Sequence, residues 1–350
     1  MLVYANYNDW AKQTNKGETP IGIIGLEFDN ASPLMTDLPL TEATGETVDE
    51  GTFEAPYKPD AMSYTSDFNG FYHGSKGDTY SRKDYMGMRK GAVSFREGDK
   101  ELMGAGFNDL RMLETKRHVR SMALDWERAF IYGNPNTDVK AILGLANRYS
   151  YLTDEDGIVK AGAHAGELSP YVTISAGGTG NNLTSVYVMV AGADAVTRIF
   201  PKKLGFEMGI RYRPGEWHEE TGRDELHNNE DGFRFVLNDR FDSYLGYSIR
   251  HARACFRIAN IDTNSAEGIK NFVHAMYVVC DLLDQSFKDR EIYLYGNRKL
   301  RIAMKEHYNS LVQPISYDSS KPMNMRGDFY FGDVLFRLND NIINTESAIV

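Results

Sequence analysis

Cysteine is nearly absent. Two residues in 350, Cys255 and Cys280, cannot make the multi-bridge framework of a small secreted domain. Both sit in apolar settings without a CxxC spacing, so they read as core thiols in a reducing compartment, with no support for a disulfide. A surplus of positive charge is missing too. Thirty-nine Lys and Arg against 49 Asp and Glu give a formal charge of -10, which argues against general phosphate attraction. That balance leaves open a protein that surrounds nucleic acid without gripping it. No long hydrophobic run exists: "VYVMVAGADAV" falls well short of a membrane span. The opening "MLVYANYNDWAKQT" lacks a basic segment followed by an apolar one, so a soluble chain made and used in cytoplasm is expected.

Catalytic signatures are also lacking. "SAGGTGNN" (175–182) is followed by a strand pattern rather than a helix and has no P-loop Lys, so it reads as a turn. "HEETGRDELHNNED" (218–231) has neither HExxH nor EF-hand spacing and reads as a solvated acidic loop. No G-x-S-x-G elbow occurs, and His251 and His274 fall in strand and helix patterns as satisfied structural groups. No catalytic residue, cofactor site or metal site is assigned.

What is present is structural. Aromatics at 12% favour β-structure and contact surfaces. Residues 44–92 scatter Gly, Pro, Asp and aromatics without a helical period, too long for a simple loop, and predict an extended hairpin arm. A helix follows over about 109–132, capped by Asn108 or Asp109. Met112, Val119, Met122, Trp126 and Phe130 form its apolar stripe, making it a spine element. "YGNPNTD" stops it, with Gly133 expected in the left-handed conformation and Pro135 unable to continue a helix. "LTSVYVMVAG" predicts a strand buried on both faces, and 245–259 predicts one alternating strand with His251, Arg253, Cys255 and Arg257 on one side. Asn264 with Glu267 predicts a helix start, "EIYLY" a buried strand, and Asn297 the cap of a second helix carried through Leu311.

Between 71 and 90 Phe71, Tyr72, Tyr80 and Tyr85 interleave with Lys76, Arg82, Lys83, Arg89 and Lys90. Asp78 and Asp84 dilute the charge, so a protein-contact arm is favoured over a single-strand nucleic-acid platform. Segment 76–90 has five basic and two acidic residues, and 218–231 has six acids and one Arg. The expected contact set between subunits is therefore Lys76, Arg82, Lys83, Tyr85, Arg89 and Lys90 on the arm, meeting Glu219, Glu220, Asp224 and Glu225 on a neighbour.

"ERAFIYGNPNTDVKAILGLANRYS" (127–150) resembles the segment ending the spine helix in major capsid proteins of tailed bacteriophages, especially a podovirus-like group. Four further stretches resemble that group in the same order: 174–202, 241–262, 291–304 and the terminal "NIINTESAIV". The resemblance implies an α+β class chain with the capsid fold named after phage HK-ninety-seven, also shared with encapsulins. Its expected parts are an N-terminal arm (1–43), an E-loop hairpin (44–92), a P-domain with the spine helix (93–263) and an A-domain (264–350), last in the chain and so permuted relative to the founding member. It implies a structural, non-enzymatic protein whose pentamers and hexamers build an icosahedral head around double-stranded DNA. Portal and scaffolding proteins, and a decoration protein, would be partners. The place of action would be the virion capsid, assembled in host cytoplasm. No membrane, cofactor or metal is implied. Two rivals are an encapsulin-like compartment and a β-rich, metal-dependent hydrolase or binding protein using the 218–231 acids.

Overall fold

The computed structural model describes residues 24, 27–54, 79–138, 141–167, 169–202, 209–224, 230–283, 285–287, 289–308, 329–331 and 334–349. The expected arm positions Phe71, Tyr72 and Lys76, the acid Glu225 and the end of the last helix at Leu311 lie outside them.

One helix organises the fold. It runs Phe107–Tyr132, 26 residues, which at about 1.5 Å per residue gives a beam of about 39 Å. Val119, Met122, Trp126 and Phe130 are buried along it and Met112 is half-buried, so the 3.6-residue period places them on one face. The cap differs from expectation. Neither Asn108 nor Asp109 caps the helix, because a short helix, α1 being Pro33–Asp37 and this one α2 (Glu97–Met103), leads through a 3-10 turn at Gly104–Gly106 directly into the spine, α3. The chain arrives already helical, so its first N–H groups face a preceding turn instead of a side-chain oxygen.

At the other end Gly133 is not left-handed (φ −53°, ψ 131°). Its role is steric. A Cβ there would lie 2.3 Å from the carbonyl oxygen of Ile142 and 2.5 Å from that of Ala129, because the chain doubles back until the Gly144 N–H donates to the Gly133 carbonyl at 2.7 Å. Asn134 holds the tight turn, its side chain accepting from the Asn136 N–H at 2.9 Å. The polar knot after the helix is a corner, closed by the short α4 (Leu145–Arg148).

Strands β1 (Leu40–Glu42), β2 (Val48–Glu54), β3 (Thr79–Tyr85) and β4 (Gly87–Arg96) precede the spine. After it come β5 (Val172–Ser175), β6 (Thr184–Val190), β7 (Val196–Phe200), β8 (Ile210–Arg213), β9 (Trp217–Asp224), β10 (Glu230–Ile249) and β11 (Cys255–Ile261). Helix α5 (Ala266–Leu282), β12 (Ile292–Gly296), α6 (Arg298–Tyr308), β13 (Phe329–Phe331) and β14 (Val334–Leu338) complete the described order. A first six-stranded sheet runs β1-β7-β10-β4, with β8 and β9 also on β10. A second runs β13-β14-β12-β6-β11-β5. The pair β2–β3 is a separate antiparallel hairpin, the described root of the arm.

Four expectations are corrected here. The 263/264 domain boundary does not divide the sheets: β12 pairs with β6, Ile292 opposite Val190, so strands on both sides of that position share one sheet. The alternating strand at 245–259 is two strands joined by a 3-10 turn at Ala252–Ala254, and all of β11 is buried, because Arg257 on its polar side has buried partners. Helix α5 is capped by Ser265, accepting from the Gly268 N–H, one residue after the expected Asn264. The described parts of the acidic segment, 218–224 and 230–231, are strand and not loop: β9 and β10 pair from Trp217↔Leu237 to Asp224↔Glu230.

Other elements fall as the residue pattern predicts. Asn297 caps α6 through the Leu300 N–H at 2.8 Å, and "SAGGTGNN" is the turn between β5 and β6, with Gly177 and Gly180 at φ 77° and 109°. Cys255 is buried, Cys280 half-buried, and the two are not joined in a disulfide. No helix among the described residues is long and apolar enough to cross a membrane.

Candidate assembly interface

The arm root is an ionic plug. In the β2–β3 register Asp49 lies directly opposite Asp84, two carboxylates that repel unless cations intervene. Three arginines do. Arg82, two residues from Asp84 on the same strand, bonds Asp84 at 2.7 Å and Asp49 at 3.1 Å. Arg148, from the corner after the spine, reaches Asp84 at 2.6 Å, and Arg250, beyond β10, reaches Asp49 at 3.4 Å. Arg148 also stacks over the Tyr247 ring at 4.5 Å. Asp49, Asp84, Arg82 and Arg148 are all buried. Gly51 leaves room for the arrangement: a Cβ there would lie 2.6 Å from an Arg82 guanidinium nitrogen.

Burial pushes the Asp49 carboxyl up. The Thr44 N–H, Arg82 and Arg250 outweigh that and hold it below the usual carboxylate range. The hairpin is thus seated in the body by charges hidden from water.

Each expected contact residue within the described part now has a place. Arg82 is committed inside its own subunit, a correction that follows from its burial between two carboxylates. Arg89 belongs to β4, where it pairs with Asp125 and stacks over Trp126 at 4.9 Å, so it braces the spine. Lys83 forms an exposed pair with Glu50 across the hairpin at 3.1 Å. Tyr85 is 65% exposed. Lys90 is exposed, also on β4. Glu219 is exposed on β9, Glu220 pairs with Arg234 at 2.7 Å, and Asp224 ends β9 opposite Glu230.

The ribbon made by β9 and the start of β10 is a second projection. Strand β4 stops alongside Val236, so among the described residues 230–235 have only β9 beside them. One ribbon face carries Phe235 and Phe233, the latter 69% exposed, stacked edge-on with centroids 6.4 Å apart. Toward the body the same face continues to Leu237, buried with Phe95 and Phe107.

Sequence reasoning missed several groups that fix these projections. Asp49, Arg148 and Arg250 gave no local signal, since each finds its partner far along the chain. The C-terminal segment is another. Glu346 accepts from Arg257 at 2.9 Å and Tyr132 at 2.8 Å, and also from Ser185. Asn260, at φ 59°, brackets Ile349 with two 2.8 Å bonds. An arginine inside the apolar run "ACFRIA" was the available clue, because a buried guanidinium demands a partner.

No group of three or more His, Cys, Asp or Glu able to hold a metal ion is found among the described residues. A cavity of about 470 Å³ lies between the 154–160 loop and α5, with Asp154, Asp156, Asn271 and His274 in its wall.

Comparison with known proteins gives the arrangement its context. The family model described as Major capsid protein GP7 matches residues 19–350. No curated protein sequence matches. Among solved structures the chain is similar to that of bacteriophage Epsilon15, with TM-score 0.57 and 18% identity over 90% of this chain and 88% of that one. It also aligns with the procapsid of bacteriophage JBD30 (TM-score 0.41, 11% identity, 90% and 95% covered). A further alignment is to the SrpI encapsulin of Synechococcus elongatus PCC 7942 (TM-score 0.39, 13% identity, 72% and 94% covered). A central beam, two sheets, a plugged arm and a family match over nearly the whole chain agree: this chain belongs to the phage major capsid proteins of the GP7 family, and many copies of it build a capsid shell.

Proposed function

We propose that the subunit assembles into pentamers and hexamers that close into an icosahedral head around double-stranded DNA, with the β2–β3 arm clasping a neighbouring copy. The observation that carries this reading is the plug at Asp49 and Asp84. It fixes a projecting hairpin rigidly on its own body, and a clasp needs that pre-organisation to bind without a large ordering cost. Many small contacts, each weak, then sum to a stable closed object.

The first sheet with the spine takes the role of a P-domain, and the second sheet with α5 and α6 that of an A-domain, contributed from both sides of position 263. The role is structural, without catalysis. Exposed Lys83, Tyr85, Lys90, Glu219 and Glu220 are contact residues between copies. A portal, a scaffolding protein and a decoration protein would complete the particle, which would be assembled in host cytoplasm. The net charge of -10 suits a wall that does not hold DNA tightly during packaging and release.

Negative-stain microscopy of the expressed chain, with its scaffold where one is required, tests the reading. Closed icosahedral shells are expected. A small oligomer that needs a divalent ion would overturn it, and cargo protein in place of DNA within native particles would move the role to a cellular compartment.

A further inference from the structure

The segment 76–90 looks basic in sequence, yet the register divides it. Residues up to Tyr85 belong to the arm, and Arg89 and Lys90 belong to β4, in the body. Once divided, the signs reverse. From 44 to 85 the chain has eight carboxylates against four Lys and Arg. Strand β2 itself, "VDEGTFE", has three acids and no cation. The cations collect on the first sheet.

Residues directly opposite in an antiparallel register share a face. Val236↔Arg96, Arg240↔Ala92 and Asp242↔Lys90 place Arg96, Arg240 and Lys90 on the face turned away from the spine. Arg240↔Arg213 and Asp242↔Arg211 add two more arginines from β8. The other face carries Phe241 and Ser243, and Ser243 accepts from Trp126 of the spine. Across β4, β8 and residues 236–243 of β10, five cations therefore meet a single carboxylate on this face, Asp242, which Arg211 and Arg213 already share at 3.0 and 3.4 Å. Lys90, Arg96 and Arg240 are exposed and have no carboxylate partner among the described residues. In a chain of charge -10 this is a concentrated positive field.

We propose that this face, centred on Lys90, Arg213 and Arg240, is the seat for the acidic root of a second copy's arm, with Glu46, just before β2, and Glu50, whose exposed pair with Lys83 can exchange partners, as its anions. Charge complementarity selects that occupant, and Lys90, Arg213 and Arg240 are exposed within their own copy. The inference rests on the clasp described above and gives it a polarity opposite to the one the linear charge pattern suggests. Such a contact sets register and partner choice more than raw affinity. It also weakens with salt, because exposed charges beyond about 10 Å are screened at 0.1 M.

The test uses the full chain under assembly conditions. Lys90→Glu with Arg240→Glu should leave circular dichroism and melting of the unassembled subunit unchanged and cut shell yield by at least about tenfold. Adding Glu46→Lys and Glu50→Lys should restore most of the yield. Normal shells from the first pair would overturn the proposal. So would normal shells that hold less DNA, since the face would then serve a polyanion.

Carbodiimide treatment of wild-type shells built from mixed isotopic labels separates the two levels of inference. Links between copies joining Lys90 to Glu46 or Glu50 are expected. Links from those carboxylates to other lysines between copies would keep the clasp and remove this face. Absence of any link between copies involving the arm would remove the clasp itself.

Discussion

The arm root and the β9–β10 ribbon are both two-stranded projections, and they are fastened in opposite ways. The arm root is anchored by ions: two facing carboxylates buried among three arginines drawn from the arm, the helix corner and the end of β10. The ribbon is anchored by apolar burial at its base, Leu237 with Phe95 and Phe107, and its ion pair between Glu220 and Arg234 faces water. A buried charge cluster resists partial loosening, because removing one member strands the others in low dielectric. An exposed pair can break at little cost. The arm is thus held at one angle, while the ribbon can adjust to whatever it meets.

That contrast can be broken by experiment. Asp84→Ala leaves Arg148 buried without a carboxylate and Arg82 with Asp49 alone, and should destabilise the subunit by about 3–5 kcal/mol in denaturant unfolding, with hydrogen-exchange protection lost first in β2 and β3. A cost near zero would show that the plug is not what seats the arm. Gly51→Ala pushes a methyl group against the Arg82 guanidinium and should cost about 1–3 kcal/mol by overpacking, again localised to the arm.

Acid provides a third handle. The folded Asp49 carboxyl titrates below its ordinary value of 3.8, so its stabilising contribution is fully present above that value and fades as pH falls through the lower folded one. Asp49→Asn should therefore be less stable than wild type at neutral pH, with the gap narrowing in acid below about pH 4. A constant gap across that range would show that the charge of Asp49 is not what the variant loses. The smallest effect is on the ribbon. Glu220→Ala should cost less than about 1 kcal/mol, and a loss as large as that of Asp84→Ala would erase the distinction.

The same contrast explains what could be read from residues alone. Helices were legible, because the spacing of Val119, Met122, Trp126 and Phe130 is a local property of a few turns. Asn297 as a cap was legible for the same reason. The cap of the spine was not, since it depends on α2 arriving in a helical path. Nor was the fate of the cations. Arg82, Arg89 and Lys90 look alike within nine residues of sequence, yet one is buried in the plug, one braces the spine and one faces solvent. What separates them is strand register and partners tens of positions away, Asp49 for Arg82 and Trp126 for Arg89, and no local pattern encodes either. The acidic run at 218–231 was recognised as acidic but not as a strand pair, because charge concealed the alternation beneath it.

Strand β10 carries a mechanical implication. Its 20 residues bond in turn with β9, β8 and β7 on one edge and with β4 on the other, then lead into Arg250 of the plug. At about 3.3 Å per residue it is a strand of roughly 66 Å running from Glu230 at the end of the ribbon to Ile249 beside the seat of the arm root. A load placed on the ribbon end would run along one continuous strand to the joint that seats the arm root.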